Sequence, residues 1–342
     1  MRIAELTGRR RIDVVERPHD QTVPAGRVRV KVAAVGVCGS DLHYFSEGSI
    51  GDTPCVYPMV LGHEPTAVVV DSTVGGVSKG DRVICEPALY CYHCEYCLSG
   101  RHNVCANLRF LSMPDEPGFF RDYVDLPLSN LLPLPSNVGL AEGTLAEPLS
   151  IILHSMEFAK PRAGETAVVF GSGPIGLLTV AVLKLSGVRR LWAVEPLAFR
   201  REMALAMGAD VVLDGGPEAV KQILKETGGR GVDIVIDCAA KDGTINQSLD
   251  LCRPRGRVVM TGIPSEARVD FAFHVMRRKE LFFYSVRRSN HDSKAALEMI
   301  AERPAFFAPL VTHRRPFDAI QSAFEFNERY EDGVGKLVLE LQ

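Results

Sequence analysis

The chain has 342 residues and a mass of 37.5 kDa, a length that suits two domains better than one core. Apolar residues make up 46% and charged residues 24%, and 39 basic against 42 acidic side chains give a net charge of -3, which excludes the basic surface of a typical nucleic-acid binder. The longest uncharged apolar stretch, 167–183, contains three glycines and a proline and is too short for a membrane span. No apolar segment of a secretory signal follows the start, so we expect a soluble, cytoplasmic protein without membrane partners.

The first part of the chain contains short apolar and β-branched segments separated by turns. The clearest predicted strands are Arg27–Val35, Thr66–Val70 and Arg82–Cys85. This pattern predicts a β-rich domain, all-β or α+β, over residues 1–148.

From about residue 149 short apolar strands alternate with helical patterns, which predicts βαβ units and a parallel sheet covered by helices on both faces. We expect this α/β domain to span 149–287, and the segment 288–342, with a helix at Ser293–Ala301, to return to the first domain. The predicted strands and helices are, in order, Thr166–Phe170, Ile175–Ser186, Leu191–Val194, Phe199–Met207, Val211–Leu213, Glu218–Thr227, Val232–Ile236, Thr244–Cys252 and Arg257–Met260.

A glycine-rich turn joins the first of these strands to the next helix. Glycines here allow a tight turn and let backbone amides approach a pyrophosphate at the helix N-terminus. The second strand is followed by Glu195, whose carboxylate would accept hydrogen bonds from ribose hydroxyls and repel the 2'-phosphate of NADP. Arg201 and its neighbour could meet that phosphate, but Glu195 lies nearer, so we expect NAD. The candidate cofactor-binding residues are Gly171, Gly173, Pro174, Ile175, Gly176, Glu195 and Arg200.

Nine cysteines in a chain with no visible secretory signal indicate metal ligands or buried thiols rather than disulfides. Spacing as tight as that of four of them predicts a closed tetrahedral zinc site with no open position for a substrate. Because zinc binding and loop folding are coupled, this site would stiffen a lobe at about 86–110. The alternative is a set of unligated thiols. The four residues are Cys91, Cys94, Cys97 and Cys105.

A second group of potential ligands is dispersed along the chain: Cys38, His63 with Glu64, and Glu147. Each has an ordinary explanation, as a small buried residue, a core histidine or a carboxylate in the first turn of a helix. Sequence distance does not show whether they converge, so a mixed zinc site and a set of unrelated residues both remain open.

In these segments the chain resembles the zinc-containing medium-chain alcohol dehydrogenases, and most of all their sorbitol (polyol) dehydrogenase branch. The resemblance covers nearly the whole chain and implies a GroES-like catalytic domain with an inserted Rossmann domain and an active site between the two. One departure is that Pro65-Thr66-Ala67 lacks the glycine usual shortly after Gly-His-Glu. The matching segments are Cys38-Gly39-Ser40-Asp41, Gly62-His63-Glu64, the four-cysteine loop, the glycine turn, Glu147-Pro148-Leu149-Ser150 and Pro309–Arg314.

The resemblance also implies ligands for a catalytic zinc ion. Cys38 and His63 match two of them, and either Glu64 or Glu147 matches the acidic one. An acidic ligand in place of the second cysteine of ordinary alcohol dehydrogenases favours the polyol branch.

Further roles follow from the same resemblance. Ser40 matches the hydroxyl that relays the proton of the alcohol, and His43 matches the group that passes it to solvent. Tyr44 and Arg287 are candidate substrate contacts, and Glu147 is a candidate catalytic or substrate-contacting residue as well as a ligand.

The implied reaction is zinc- and NAD-dependent oxidation of a secondary hydroxyl of a polyol such as sorbitol, xylitol or galactitol to a ketose. Arg287 and Arg288 could instead pair with a carboxylate, so a sugar acid such as L-idonate is an alternative substrate. Threonine dehydrogenases match less well, because they usually carry Thr where Ser40 stands. A non-catalytic dinucleotide-binding scaffold would be expected to have lost Cys38, His63 or Ser40, and all three are present.

Assembly is expected from the family rather than from a pattern in the chain. Members of the family are commonly homodimers or homotetramers, and Glu280–Ser285 is a candidate edge strand through which two copies would pair.

Overall fold

The computed structural model describes residues 1–265 and 268–341. The chain forms two units, Met1–Ser150 with Asn290–Gln342, and Ile151–Ser289. The predicted boundaries after 148 and 287 lie two residues before those of the structure. Over the described ranges, no helix has the length and apolar character that crossing a bilayer requires.

The first unit begins with an antiparallel hairpin and continues through strands that are joined by short helices. Helix α4 starts in this unit and ends in the next. The elements are β1 (Arg2–Gly8), β2 (Arg11–Glu16), β3 (Val28–Gly36), α1 (Gly39–Glu47), β4 (Ser49–Ile50), β5 (Thr53–Pro54), β6 (Glu64–Ser72), β7 (Arg82–Cys85), β8 (Ala88–Leu89), α2 (Glu95–Leu98), β9 (Arg109–Phe110), β10 (Tyr123–Leu126), β11 (Leu131–Pro133), α3 (Leu140–Gly143) and α4 (Ala146–Ala159).

The second unit alternates strands and helices, as the sequence predicts. Its strands pair in parallel in the order β14-β13-β12-β15-β16-β17, so the order reverses between β12 and β15, where dinucleotides bind in folds of this kind. The elements are β12 (Thr166–Phe170), α5 (Pro174–Leu185), β13 (Arg190–Val194), α6 (Ala198–Ala206), β14 (Val211–Leu213), α7 (Pro217–Glu226), β15 (Val232–Asp237), α8 (Asp242–Leu251), β16 (Cys252–Met260), α9 (Phe273–Lys279) and β17 (Phe282–Ser285).

The chain then returns to the first unit at Asn290. Two of its strands complete the main sheet of that unit, in which the order is β11-β7-β6-β3-β19-β18 and β10 also pairs with β3. The returning elements are α10 (Ser293–Glu302), α11 (Pro304–Phe307), β18 (Val311–Pro316), α12 (Ile320–Glu328) and β19 (Lys336–Glu340).

Burial explains why these segments form central strands. Every residue of β12 and β15 is buried, as expected for parallel strands covered on both faces, and β3 exposes only Lys31. In the first unit, residues of β3 pack with Phe45, Phe120 and Phe324 in one apolar cluster. These strands form rigid supports, and the candidate functional residues lie at their ends.

The edge of the parallel sheet is formed by β17, which pairs only with β16 in the described part of the chain. The predicted strand at Glu280–Ser285 starts later than expected, because Glu280 ends α9 in the left-handed conformation with a φ of 51°. Phe282 is 45% exposed on this strand.

Candidate active site and metal centres

The structure brings Cys38, His63 and Glu64 together. One potential ligand atom from each lies within 4.8 Å of the others, and His63 and Glu64 are buried. The sheet causes this convergence: Gly36 at the end of β3 pairs with Glu64 at the start of β6, and Cys38 follows Gly36 by two residues. A thiolate, an imidazole and a carboxylate are ligands that zinc accepts, so the donor set fits the predicted catalytic metal.

Asp41 lies next to these potential ligands, although no sequence motif marked it as a candidate site residue. Its carboxylate is fully buried and lies 3.4 Å from Nδ1 of His63. It accepts hydrogen bonds from the backbone N–H of Cys38 at 3.1 Å and of Gly62 at 3.2 Å, and from the hydroxyl of Ser112 at 3.1 Å. A carboxylate behind a ligand histidine fixes the orientation of its ring. The available signal was the position of Asp41, the third residue of the helix that Cys38 caps.

The charges of this pair support each other. Burial by itself lowers the pKa of His63, but the neighbouring Asp41 carboxylate and the Cys38 sulfur raise it well above the usual value. Burial by itself raises the pKa of Asp41, yet His63 and the two backbone amides bring it below the ordinary value. Asp41 is therefore held as a carboxylate in a site without solvent.

Helix α1 carries three further predicted residues. The hydroxyl of Ser40 lies 3.5 Å from Nε2 of His63, on the side of the ring away from Asp41. His43, whose side chain is 28% exposed, places Nδ1 3.0 Å from the carboxylate of Glu47. The structure thus places Ser40 beside the candidate ligands and His43 at the border with solvent.

Tyr44, predicted as a substrate contact, is 1% exposed and belongs to the apolar cluster of the first unit. Its hydroxyl donates to the sulfur of Met113 at 3.7 Å. The environment of Tyr44 is therefore largely that of a core residue.

The two candidate acidic ligands are placed differently. Glu64 belongs to the group described above, whereas Glu147, in the first turn of α4, is not among the ligand atoms grouped there within the described residues. The carboxylate of Glu64 also contacts the ammonium group of Lys336 on β19. The geometry favours Glu64 as the acidic ligand.

The four clustered cysteines converge around one point on the loop that contains α2. Their sulfur atoms lie within 4.8 Å of one another, with 3.4 Å between Cys105 and Cys91 and 3.8 Å between Cys94 and Cys105. Hydrogen bonding from backbone amides, above all that of His93, lowers the pKa of Cys91 to about 5, which favours the thiolate form that binds metal. Four thiolates form a closed tetrahedral set, so this loop fits the predicted structural zinc.

The glycine turn of the second unit has the geometry that a pyrophosphate site requires. Gly171 has a φ of 82°, and a Cβ on Gly176 would collide with the carbonyl oxygen of Gly171, so the turn needs glycine at both positions. Gly173 caps α5, and Pro174 occupies its first turn.

The carboxylate of Glu195 is fixed against this turn. It is 4% exposed and accepts a hydrogen bond from the backbone N–H of Ser172 at 2.7 Å and another from that of Leu197 at 3.0 Å. Arg200 lies on the same side, where a Cβ added to Gly173 would be 3.8 Å from its guanidinium. Arg201 is committed elsewhere, since it donates to the carbonyl oxygens of Glu195 and Pro196.

Arg287 lies two residues after β17, at the carboxyl end of the parallel sheet, and belongs to the second unit. The adjacent Arg288 has a positive φ of 55°.

Two family models match the chain, one in each half. The model described as an alcohol dehydrogenase GroES-like domain matches residues 24–136, and the model described as a zinc-binding dehydrogenase matches residues 174–302.

Similar proteins match over almost the full length. The chain is 34% identical over 329 residues to a D-xylulose reductase of Aspergillus oryzae, covering 93% of this chain and 91% of that protein. It is 31% identical over 301 residues to a sorbitol dehydrogenase of Bacillus subtilis, covering 87% and 85%. Among solved structures, an alcohol dehydrogenase of E. coli in complex with NADH superposes with a TM-score of 0.89 at 27% identity and covers 100% of this chain and 99% of that one.

Proposed function

Because the chain belongs to the zinc-containing medium-chain dehydrogenases, in the polyol dehydrogenase branch, we propose that it oxidises a secondary hydroxyl of a polyol to a ketone with NAD as hydride acceptor. The observation that carries this proposal is the convergence of a thiolate, an imidazole and a carboxylate at Cys38, His63 and Glu64. The acidic third member separates this donor set from the pair of cysteines and one histidine of ordinary alcohol dehydrogenases.

Two zinc ions are expected per chain. Cys38, His63 and Glu64 would hold the catalytic ion with a position open for substrate, whereas the four-cysteine loop would hold the structural ion. When bound, the catalytic ion supplies Lewis acidity that makes a secondary hydroxyl easier to deprotonate.

The proton of the substrate hydroxyl leaves through side chains of α1. The hydroxyl of Ser40 lies beside Nε2 of His63, on the side of the ring away from Asp41, and a hydroxyl can accept one proton and pass on another. His43 stands one turn further along the helix and reaches solvent. Its Nδ1 lies 3.0 Å from the carboxylate of Glu47, which fixes the orientation of the ring at the solvent border.

NAD would bind to the second unit, at the glycine turn and Glu195. The backbone amides of the glycine turn would hold the pyrophosphate, and the carboxylate of Glu195, fixed by the N–H of Ser172, would accept hydrogen bonds from the adenosine ribose. A 2'-phosphate would meet this buried negative charge, which selects NAD over NADP. Arg200 lies beside the turn, where its guanidinium would contact the ribose or the pyrophosphate.

The substrate class is tested by NADH formation with zinc-loaded enzyme on sorbitol, xylitol and galactitol, in parallel with L-idonate and gluconate. Turnover on the neutral polyols with NAD supports the proposal. Turnover confined to the acids overturns the polyol assignment and makes Arg287 and Arg288 a carboxylate site. The variant Arg287→Ala sharpens the test: it should raise KM for the reacting substrate, whereas Arg162→Ala on an exposed turn should not.

Assembly into a homodimer or homotetramer is part of the same proposal. The edge strand β17 offers unpaired backbone groups and the half-exposed ring of Phe282, and Phe273 on the preceding helix is 54% exposed. Sedimentation of wild-type protein at micromolar concentration should show the oligomer, and Phe282→Glu should dissociate it. A wild-type monomer would contradict this part of the proposal.

The cytoplasm is the proposed location. All nine cysteines are free, and thiolate ligands remain available in a reducing compartment. Recovery of the activity from a membrane-free cytosolic fraction would support this location, and recovery from a secreted fraction would contradict it.

A further inference from the structure

Lys336 is an unusual residue for the interior of this unit. Its side chain is 1% exposed, and its ammonium group contacts the carboxylate of Glu64 and donates to the carbonyl oxygen of Val37 at 3.0 Å. A buried lysine is strongly destabilising unless its charge is paired, so the position needs a physical reason.

The register of the sheet explains how Lys336 reaches this place. Strand β3 lies between β6 and β19, and Gly36 on β3 pairs with Glu64 on one side and with Val338 on the other. A Cβ on Gly36 would overlap both the Glu64 carboxylate and the end of Lys336. The two charged side chains therefore meet above a glycine that leaves room for this pair alone.

The charges around Lys336 are those of the candidate metal centre. Glu64 is in direct contact with Lys336, and Cys38 and Glu147 are further negative groups that act on its ammonium group. A zinc ion with one thiolate and one carboxylate ligand is electrically neutral. The carboxylates of Asp41 and Glu147 would add two negative charges to this centre, and the ammonium group of Lys336 would compensate for one of them.

We propose that Lys336 is a positioning residue of the catalytic metal centre that restrains Glu64, so that this carboxylate is shared between the ammonium group and the metal. The inference rests on the proposed zinc centre and adds a residue to it. A carboxylate that is held by an ammonium group would be a weaker donor to the metal. Loss of the restraint lets Glu64 bind the metal fully and removes a positive charge next to a cation.

The consequences can be measured without any substrate. In Lys336→Met the release of catalytic zinc to a chelator should slow by roughly tenfold, the size expected when one charge-assisted contact is exchanged for another at about 1.4 kcal/mol per factor of ten. The visible absorption of the cobalt-substituted protein should shift, because the coordination of the metal changes. Lys336→Arg keeps the positive charge and should restore both values toward wild type. The zinc of the four-cysteine loop serves as a reference in the same molecule, and its release should not change.

A double variant separates this role from a general effect on folding. Lys336→Met leaves Glu64 buried without its partner, so a failure of that variant to fold must be anticipated. Glu64→Gln and Glu64→Gln with Lys336→Met provide the second comparison, and zinc release should differ much less between these two than between wild type and Lys336→Met, because Lys336 acts chiefly through Glu64. Unchanged or faster zinc release in Lys336→Met, or an equally large difference between the two Glu64→Gln proteins, would overturn the inference. Because metal release and cobalt absorption need no substrate, a wrong substrate class would leave these results unaffected.

Discussion

Exchange of the Asp41 carboxylate for an amide tests how the metal centre is held. One oxygen of Asp41 accepts from Gly62 and Ser112 and faces His63, and the other accepts from the backbone N–H of Cys38. Asp41→Asn keeps the shape of the side chain and removes its charge. Whichever way the amide turns, its NH2 group meets at least one donor that needs an acceptor.

The magnitude follows from these contacts. Leaving one buried donor unsatisfied costs about 1–3 kcal/mol. Removal of a partner that orients a ligand histidine typically lowers metal affinity about 10–100-fold, which corresponds to about 1.4–2.8 kcal/mol at about 1.4 kcal/mol per factor of ten. The first cost lowers the stability of the fold with or without zinc, so the second range sets the expectation that zinc at the catalytic centre binds about 10–100-fold more weakly in Asp41→Asn.

The assay is competition for zinc against a chelator of known affinity, combined with turnover at increasing free zinc. Turnover at low zinc should be lost and should recover when zinc is added, because Cys38, His63 and Glu64 are intact. Asp13→Asn makes the same chemical change on the exposed face of β2 and should alter neither measurement. If zinc affinity in Asp41→Asn equals that of the wild type, Asp41 does not support His63 and the reasoning is refuted.

Three further changes test other parts of the molecule. Glu195→Gln should raise KM for NAD and reduce the preference for NAD over NADP, measured by steady-state kinetics with both cofactors. If Glu195 does not select the cofactor, the ratio of kcat/KM for NAD to that for NADP will be unchanged. Cys97→Ala should lower the melting temperature and leave one zinc per chain, whereas Cys38→Ala should abolish turnover with the fold intact. Equal losses of melting temperature in the two variants would argue against separate structural and catalytic zinc sites. Burial raises the pKa of Asp233, but hydrogen bonds from Arg230, Arg253 and Thr166 outweigh it and hold the pKa below the ordinary value. Asp233 therefore stabilises the fold above about pH 4, where the unfolded carboxyl is also ionised, and this contribution is lost as pH falls further. The free energy of unfolding in urea should be lower for Asp233→Asn than for the wild type by a constant amount from pH 7 to pH 5, and this difference should shrink below pH 4. A difference that is independent of pH would contradict this account.

The second unit was largely predictable because each of its central segments carries its own local signal. A strand such as Thr166–Phe170 is apolar throughout, the turn that follows needs glycine, and the helix begins at a proline. Strand β16 was less predictable. It begins at Cys252 rather than at the predicted Arg257, and its pairing with β15 shifts register between Val232 and Ile234. No residue type in either strand indicates this shift.

The metal centre was predictable only in part, for a related reason. The four-cysteine loop closes over fifteen residues, so spacing alone indicates that its thiols meet. Cys38 and Glu64 meet because β3 and β6 pair in one particular register, and a shift by one residue would turn Glu64 to the other face of the sheet. The family resemblance supplied these residues, and periodicity could not have supplied them.

Sequence motifs that identify metal ligands could not identify Lys336. It lies 299 positions from Val37, and its neighbours in sequence are those of an ordinary terminal strand. The role of its positive charge can be inferred only when β19 is known to lie beside β3 and the negatively charged groups of the site are known. A metal centre in a sheet is thus determined by the ligands and also by the charges that neighbouring strands bring within reach of them. Such charges can be found only from the strand order. A lysine at the start of a strand is normally exposed, and a lysine that balances a buried thiolate and carboxylates has the same neighbours in sequence, so the sequence does not distinguish the two.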